Sequence, residues 1–302
     1  MPVAEDALRI VIVARDQSPR VQQALGQLKL QLAARPRLQL IGELTTDEQL
    51  AGPIPADLGL VLGGDGAILR ACRSFGRQQI PLLGLNLGRL GFLADLSTDE
   101  VEQGLEQLER GEYRIARHLM FECEHHRPGG QVSRQIGLNE VSILSGGSLM
   151  MIDLELAIDG QHVTTYSGDG LIISTPVGST AHSLSAGGPI LRQDLAAFVI
   201  TPICPHTLTV RPLVDRADVE YSLTAPFAPE GVRLVIDGQI REPFGPGDRV
   251  VIRRAECDFQ LIRLAGHSYY HTLHRKLGWD GQPRYQRERT VIDAPPSPAD
   301  PS

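Results

Sequence analysis

The chain has four cysteines in 302 residues, Cys72, Cys123, Cys204 and Cys257, and no two of them form a CxxC pair. That scarcity argues against structural zinc and against a disulfide framework, and it leaves buried free thiols in a reducing cytosol as the expectation. No apolar run approaches the roughly 18 residues of a membrane helix. Acids precede the first strand-like segment in MPVAEDALRIVIVAR. Neither a membrane span nor a signal peptide is therefore expected, and the expected location is cytoplasmic. A basic excess is missing as well. The 29 Lys and Arg face 36 Asp and Glu, a net charge of −7 with histidine neutral, which argues against a nucleic-acid binder. Two familiar nucleotide motifs are also absent. No GxxxxGK precedes a Ser or Thr, and no GxGxxG follows a strand, since Gly84, Gly88 and Gly91 have another spacing. P-loop and dehydrogenase-type dinucleotide folds are thus unsupported.

Glycine is plentiful instead, 31 of 302 residues against a usual share of about 7%. It forms no periodic tract, so the glycines belong to particular turns and loops. The length suits two domains at roughly 150 residues each. Segments 7–14 (ALRIVIVA), 58–62 (LGLVL) and 80–86 (IPLLGLN) read as buried strands with helical patterns between them. Ser97-Thr98-Asp99-Glu100 is a capping-box sequence before Val101, Leu105 and Leu108 at helical spacing. An α/β domain with a parallel sheet is expected over residues 1–116. Beyond it the period changes to two. Ile152, Leu154, Leu156 and Ile158 lead into Asp159-Gly160, and Val232, Leu234 and Ile236 lead into Asp237-Gly238, both hairpin signals. Residues 117–263 are expected to form a mainly antiparallel β domain. A C-terminal helix over 264–291 is expected to pack back on the first domain, and 292–302 to be disordered.

The sharpest local feature is Gly63-Gly64-Asp65-Gly66, directly after a buried strand and opening a helical stretch. Glycines there let the backbone turn and approach a ligand, while N–H groups at the helix start face an anion. The acid repels phosphate, so it makes sense facing a hydroxyl to be deprotonated or a magnesium ion. Arg70, about a turn into the helix, can reach back to a phosphate. A plain turn with an aspartate cap is the structural alternative.

A second constellation is GDGLIISTPVGSTAHSLSAGGPI at 168–190, an apolar strand running into a Ser/Thr/Gly loop. Clustered hydroxyls and glycines suit close approach to a flat polar ligand. Ser179, His182 and Ser183 lack the G-x-S-x-G setting of a hydrolase nucleophile. His125-His126 reads as a solvated polar turn, and no metal site built from side chains is expected. His206 reads as structural.

GGDG at 63–66, Asn139-Glu140, the 168–190 block, PICPHTLTVRPLV at 202–214 and Asp237-Gly238-Gln239 stand in an order that resembles the NAD kinase family. LHRKLGW near the end is similar too. GGDG alone is shared with diacylglycerol and sphingosine lipid kinases; the later blocks are more specific. The resemblance implies phosphoryl transfer from ATP, or polyphosphate in some members, to the adenosine 2′-hydroxyl of NAD, with Mg²⁺ accompanying the donor. It makes Asp65 the base and puts Gly66 and Arg70 beside the dinucleotide. The donor phosphates fall to the Gly63, Gly64 and Gly66 N–H groups. Asn139 and Glu140 would bind the dinucleotide and Asp169 one of its amide or amino groups. Thr180, Ala181, His182, Ser183, Leu184 and Ser185 would form a wall, and Gln239 would close another side. It also implies a homodimer or homotetramer whose site a neighbouring subunit partly completes, with neither nucleic acid nor membrane as partner.

Two positions depart from the family. His182 stands where tyrosine is usual, which leaves less ring area and a pH-dependent charge. Ser167 stands where several bacterial members carry arginine near the nicotinamide, so weak discrimination between NAD⁺ and NADH is expected. The alternatives are a lipid or small-alcohol kinase using the same loop, or a non-catalytic NAD-binding regulator.

Overall fold

The computed structural model describes residues 7–46, 52–88, 91–94, 96–146, 151–266 and 268–278. Strands β1 (Leu8–Ala14), β2 (Leu38–Thr45), β3 (Leu58–Leu62) and β4 (Leu82–Asn86) run parallel in the order β2-β1-β3-β4, and short β5 (Leu96–Ser97) joins β4. Three of these match the apolar runs of the sequence. β2 has no such run because it is the sheet edge, where only Leu38 is fully buried. Helix α1 (Pro19–Ala33) starts with proline in its first turn and buries Val21, Leu25, Leu28 and Leu32 along one stripe. Helix α2 (Asp65–Phe75) lies on the opposite face, and α3 (Val101–Arg110) on the face of α1. The period of two in β1 decides which residue goes where. Ile10, Ile12 and Ala14 join the α1–α3 core, and Val11 and Val13 the α2 core. The capping box forms as expected, with the Ser97 N–H donating to Glu100 at 2.9 Å, and Gly111 in the left-handed region ends α3.

The rest is β-rich: β6 (Tyr113–His126), β7 (Val132–Gly137), β8 (Glu140–Leu144), β9 (Ile152–Ile158), β10 (Gln161–Gly168), β11 (Gly170–Ser174), β12 (Ala197–Ile203), β13 (Leu213–Arg216), β14 (Tyr221–Thr224), β15 (Arg233–Ile236), β16 (Ile240–Pro243) and β17 (Arg249–Leu264). Among themselves these strands pair antiparallel. Six make the sheet β13-β12-β11-β8-β15-β16. Its inner face meets β6, β9, β14 and β17 across a core that includes Phe121, Phe198 and Tyr221. Both Asp-Gly hairpins form, with φ of 47° and 76° at Asp159-Gly160 and 50° and 66° at Asp237-Gly238.

β17 changes partner along its length. Its first residues pair with β14, it follows β6 throughout, and Leu261 pairs parallel with Leu82 of β4. One 11-stranded sheet therefore runs through both regions, and residue 116 lies inside β6. The C-terminal helix is α5 (Tyr269–Leu277), after a short helical turn α4 (His182–Ser185) earlier in the chain. The helix starts later than residue 264 because Leu264 is the buried last residue of β17 and Gly266, at φ 88°, breaks the strand. Residues 279–291 and the tail 292–302 lie outside the described residues. α5 sets Lys276 Nζ 5.4 Å from the Phe92 ring centre, and the Tyr269 hydroxyl donates to the Leu191 carbonyl at 3.4 Å. No helix among the described residues is long and apolar enough to cross a membrane.

Two expectations need correction. Cys72 and Cys123 are buried, but Cys204 is exposed. It follows β12 at φ 44°, in a turn the core does not cover. His125 does not sit in a solvated turn. It is buried on β6, with Nδ1 2.8 Å from Glu242 and Nε2 3.0 Å from Asp248, two carboxylates distant in sequence.

The segment after β4 packs tightly on the sheet: a Cβ on Gly84 would stand 2.5 Å from Ile68 Cδ1 and 2.8 Å from Ala94 Cα. The latter is backbone and cannot rotate away. Gly84→Ala should cost about 1–3 kcal/mol by overpacking. A urea melt of the variant within about 0.5 kcal/mol of the parent would show that this contact is looser.

Candidate active site

Asp65 is the first residue of α2, where helix dipole and unused N–H groups favour negative charge. Its carboxylate takes three backbone N–H groups of the loop after β4. Oδ2 accepts from Phe92 at 2.8 Å, and Oδ1 from Leu93 and Ala94, each at 3.0 Å. A carboxylate offers about four acceptor positions, so Oδ2 keeps one for a ligand. Gly91 makes the approach feasible, because a Cβ there would stand 1.9 Å from Asp65 Oδ1. The sequence showed Asp65 but gave no sign of the three donors that aim it, since they are main-chain groups.

The phosphate-loop expectation needs one revision. The Gly63 N–H donates to the Leu85 carbonyl at 3.0 Å and is used up by the sheet. Gly63 serves the turn, at φ 152°. The N–H groups of Gly64, Asp65 and Gly66 have no acceptor among the described residues and form the anion-facing set at the helix start. Arg70 turns its Nε to the Thr46 hydroxyl at 3.0 Å.

Glu140 begins β8 and Asn139 directly precedes it, both held by the aspartate of the second Asp-Gly hairpin. Asp237 is fully buried, and its carboxylate accepts from the N–H groups of Leu138 (2.9 Å), Asn139 (2.7 Å) and Glu140 (3.1 Å). Burial pushes its carboxyl upward, and the three N–H donors oppose that rise. The Asn139 carbonyl takes the Thr175 N–H at 2.9 Å and the Ser174 hydroxyl at 3.1 Å, tying the start of β8 to the end of β11. The Asn139 side chain has no partner among the described residues. Glu140 is buried, its Oε2 has no partner among them, and burial followed by repulsion from Asp237 raises its carboxyl to about 8. A buried acceptor without a donor is costly unless a ligand supplies one.

Two residues past Asp237, Gln239 bridges the hairpin to α2. Its amide donates to the Gly66 carbonyl at 3.2 Å and its oxygen accepts from Arg73 at 2.5 Å. Gln239 thus ties the hairpin to the GGDG helix, and Arg73 joins it there.

The wall expected at 180–185 divides. His182 and Ser185 are exposed, and Thr180, Ala181 and Leu184 are half-buried. Ser183 faces the interior instead: its hydroxyl pairs with Thr201 at 2.9 Å and it has no exposed surface. Small size let the sequence suggest a ligand contact, but the hydroxyl satisfies a core threonine. Ser179 is also internal, accepting the Leu191 N–H at 2.9 Å.

Asp169 is not brought to Asp65 within the chain. It precedes Gly170, which pairs with Leu144, whereas Ser174 pairs with Glu140. Five strand steps therefore separate it from the Ser174 position that pairs with Glu140, about 16 Å. There it adjoins the Cys204 thiol and pushes it upward. Ser167, nearby, donates its hydroxyl to Asp153.

Comparison with known proteins bears on the family of the chain. Residues 18–113 match the family model of the ATP-NAD kinase N-terminal domain and residues 138–264 that of the ATP-NAD kinase C-terminal domain. The NAD kinase of Rhodopirellula baltica is 47% identical over 226 residues, 75% of this chain and 73% of that protein. The NAD kinase of Geobacter sulfurreducens is 39% identical over 280 residues, 90% of this chain and 98% of that one. The yeast NADH kinase complexed with NADH shares the fold, with a TM-score of 0.82 at 22% identity over 94% of this chain and 91% of that chain. An NAD kinase from Archaeoglobus fulgidus in complex with ATP gives 0.67 at 27% identity over 90% and 99%. With both halves of the fold matched and relatives of this identity over most of its length, the chain belongs to the NAD kinase family.

Proposed function

We propose that the chain transfers the terminal phosphoryl group of ATP to the 2′-hydroxyl of the adenosine ribose of NAD, giving NADP and ADP. The observation that carries this reading is Asp65. Its carboxylate is fixed by three N–H donors with one acceptor position left on Oδ2, and it stands beside the free N–H groups of the α2 start. The family matches favour neither the lipid-kinase nor the regulator alternative.

Transfer of this kind needs positioning and charge neutralisation more than covalent help. The ribose hydroxyl sits on Asp65 Oδ2, and its oxygen bonds to the γ-phosphorus as the bond to the β-bridging oxygen breaks. The hydroxyl proton passes to the carboxylate late in the step. The N–H groups of Gly64, Asp65 and Gly66 hold donor phosphate oxygens. Glu140 accepts a ribose hydroxyl on its unpartnered Oε2, and Asn139 meets a base edge with both donor and acceptor. His182 and Ser185 form the exposed wall. The metal is Mg²⁺. Among the described residues no group of three or more His, Cys, Asp or Glu is placed to cage a metal. Such an ion would be carried largely by the donor phosphates and water, and would neutralise charge on the transferring group. Asp169, at the far end of β8 and β11, serves the nicotinamide end in a homodimer or homotetramer whose copies share sites. The domain division at residue 116 belongs to the same reading.

The decisive assay incubates the chain with NAD, ATP and Mg²⁺ and measures NADP. No product sinks the kinase reading. Asp65→Asn should lose about 10²- to 10⁴-fold in rate while keeping a cooperative melt, and full activity in that variant removes Asp65 from its role.

Glu140 links stability to pH. Its folded value, about 8, lies above the ordinary 4.5, so between these values the folded state holds a proton that the unfolded state has lost. Stability is then full below about 4.5 and falls as pH rises toward about 8. Glu140→Gln, which cannot ionise, should flatten this fall in a series of thermal melts from acid to mild alkali. An unchanged slope would mean that Glu140 is not the group responsible.

Ser167 carries no cation and is engaged with Asp153. Rates with NAD⁺ and NADH should therefore differ by less than about tenfold, a gap of roughly 1.4 kcal/mol. A strong NAD⁺ preference in parallel kinase assays would contradict this.

A further inference from the structure

A cavity of about 460 Å³ opens between the start of β6, the end of β17, residues 192–194 and α5, and the catalytic reading does not use it. Its charge is unusual for a chain of net −7. Arg114, Arg117, Arg192 and Arg263 line it against one carboxylate, Asp194, which is already paired with Arg192 at 2.8 Å. Arg114 and Arg263 are direct cross-strand neighbours in the β6–β17 ladder, an arrangement that like charges disfavour. Arg263 is only 5% exposed and reaches the Phe92 carbonyl at 3.2 Å and the Gln193 amide oxygen at 3.3 Å. Arg114 and Arg117 have no carboxylate partner among the described residues.

Two buried lining side chains are incompletely satisfied. His118 and Gln193 are 4% and 6% exposed, and the Nε2 atom of each has no partner among the described residues. His118 donates Nδ1–H to the Gln193 carbonyl at 3.3 Å, which leaves Nε2 as an acceptor. Burial lowers its pKa to about 4, against the Gln193 carbonyl and with Arg263 adding to the fall, so the ring is neutral and the positive charge belongs to the arginines. Tyr269 and Tyr270 stand edge to face, 5.5 Å apart, at the rim.

We infer that this cavity is a second anion site, separate from the Asp65 site, that takes the phosphate chain of a nucleotide or of an inorganic polyphosphate. An anion placed there offsets the like charges of Arg114 and Arg263 and gives the Arg114 and Arg117 guanidinium forks a partner of matching geometry. The volume suits a ligand of that size. The site is also hydrogen-bonded to the catalytic centre through a single residue: the Phe92 carbonyl takes Arg263, and the Phe92 N–H holds Asp65. An occupant that draws Arg263 toward itself acts on the loop that aims the base.

The test is titration calorimetry of the full chain with tripolyphosphate and, separately, with ATP, in EDTA without NAD and at constant ionic strength. The parent should bind both anions. Arg114→Ser/Arg117→Ser should weaken that binding by about tenfold or more, with the KM for ATP in the kinase assay within about twofold of the parent. Arg117→Ser alone, at an exposed position, serves if the double variant does not fold. Tighter binding of ATP, abolished by Tyr270→Ala, identifies a nucleotide occupant, and equal affinity identifies the inorganic chain. Unchanged affinity and stoichiometry for both anions in the arginine variants overturns the proposal. Either result leaves the kinase reading standing, since that rests on NADP formation and Asp65.

Discussion

Asp237 is a carboxylate with no exposure to speak of, surrounded by three main-chain N–H groups from residues 138–140. The Asn139, Glu140 and Gln239 side of the candidate site depends on that arrangement. It closes the β15–β16 hairpin on the start of β8 and so sets where Asn139 and Glu140 stand. It leaves Gln239 two residues on, within reach of Gly66 and Arg73. The hairpin turn requires positive φ at Asp237 and Gly238, and aspartate tolerates it better than a bulky residue. One side chain thus serves a turn and satisfies three main-chain donors at the entry to β8.

The same economy explains how an acidic chain handles polyanions. The acids near the proposed phosphate path have their charge muted by different means. Asp65 is surrounded by N–H donors, and Glu140 is pushed toward its neutral form by burial and by Asp237. Positive potential comes from a helix start and from a few arginines held at defined places, so the field is local.

Legibility in the sequence followed the range of the interaction. GGDG, the capping box and both Asp-Gly hairpins were readable because each is set within a few residues. The parallel strands were readable where both faces are buried, and β2 was not, because an edge strand alternates weakly. Asp237 was visible as a turn residue but not as the acceptor of three donors nearly a hundred residues away. His125 looked solvated among charged neighbours because Glu242 and Asp248 reach it only through the fold. Ser183 looked like a pocket residue because nothing local reveals Thr201 behind it. Asp169 stands just before the strand read from the apolar run at 171–173, and direction along β11 puts it at the far end from Glu140.

The partner change in β17 has a consequence for how the protein is made. β4 needs β17 beside it, and β17 is Arg249–Leu264. While the ribosome is still producing the β-rich half, the sheet begun by the first 86 residues has one flank of β4 covered only by the two-residue β5. An uncovered strand edge attracts unwanted pairing, and contacts this distant in sequence form slowly. The first sheet started is among the last completed, so neither half reaches its native state ahead of the other.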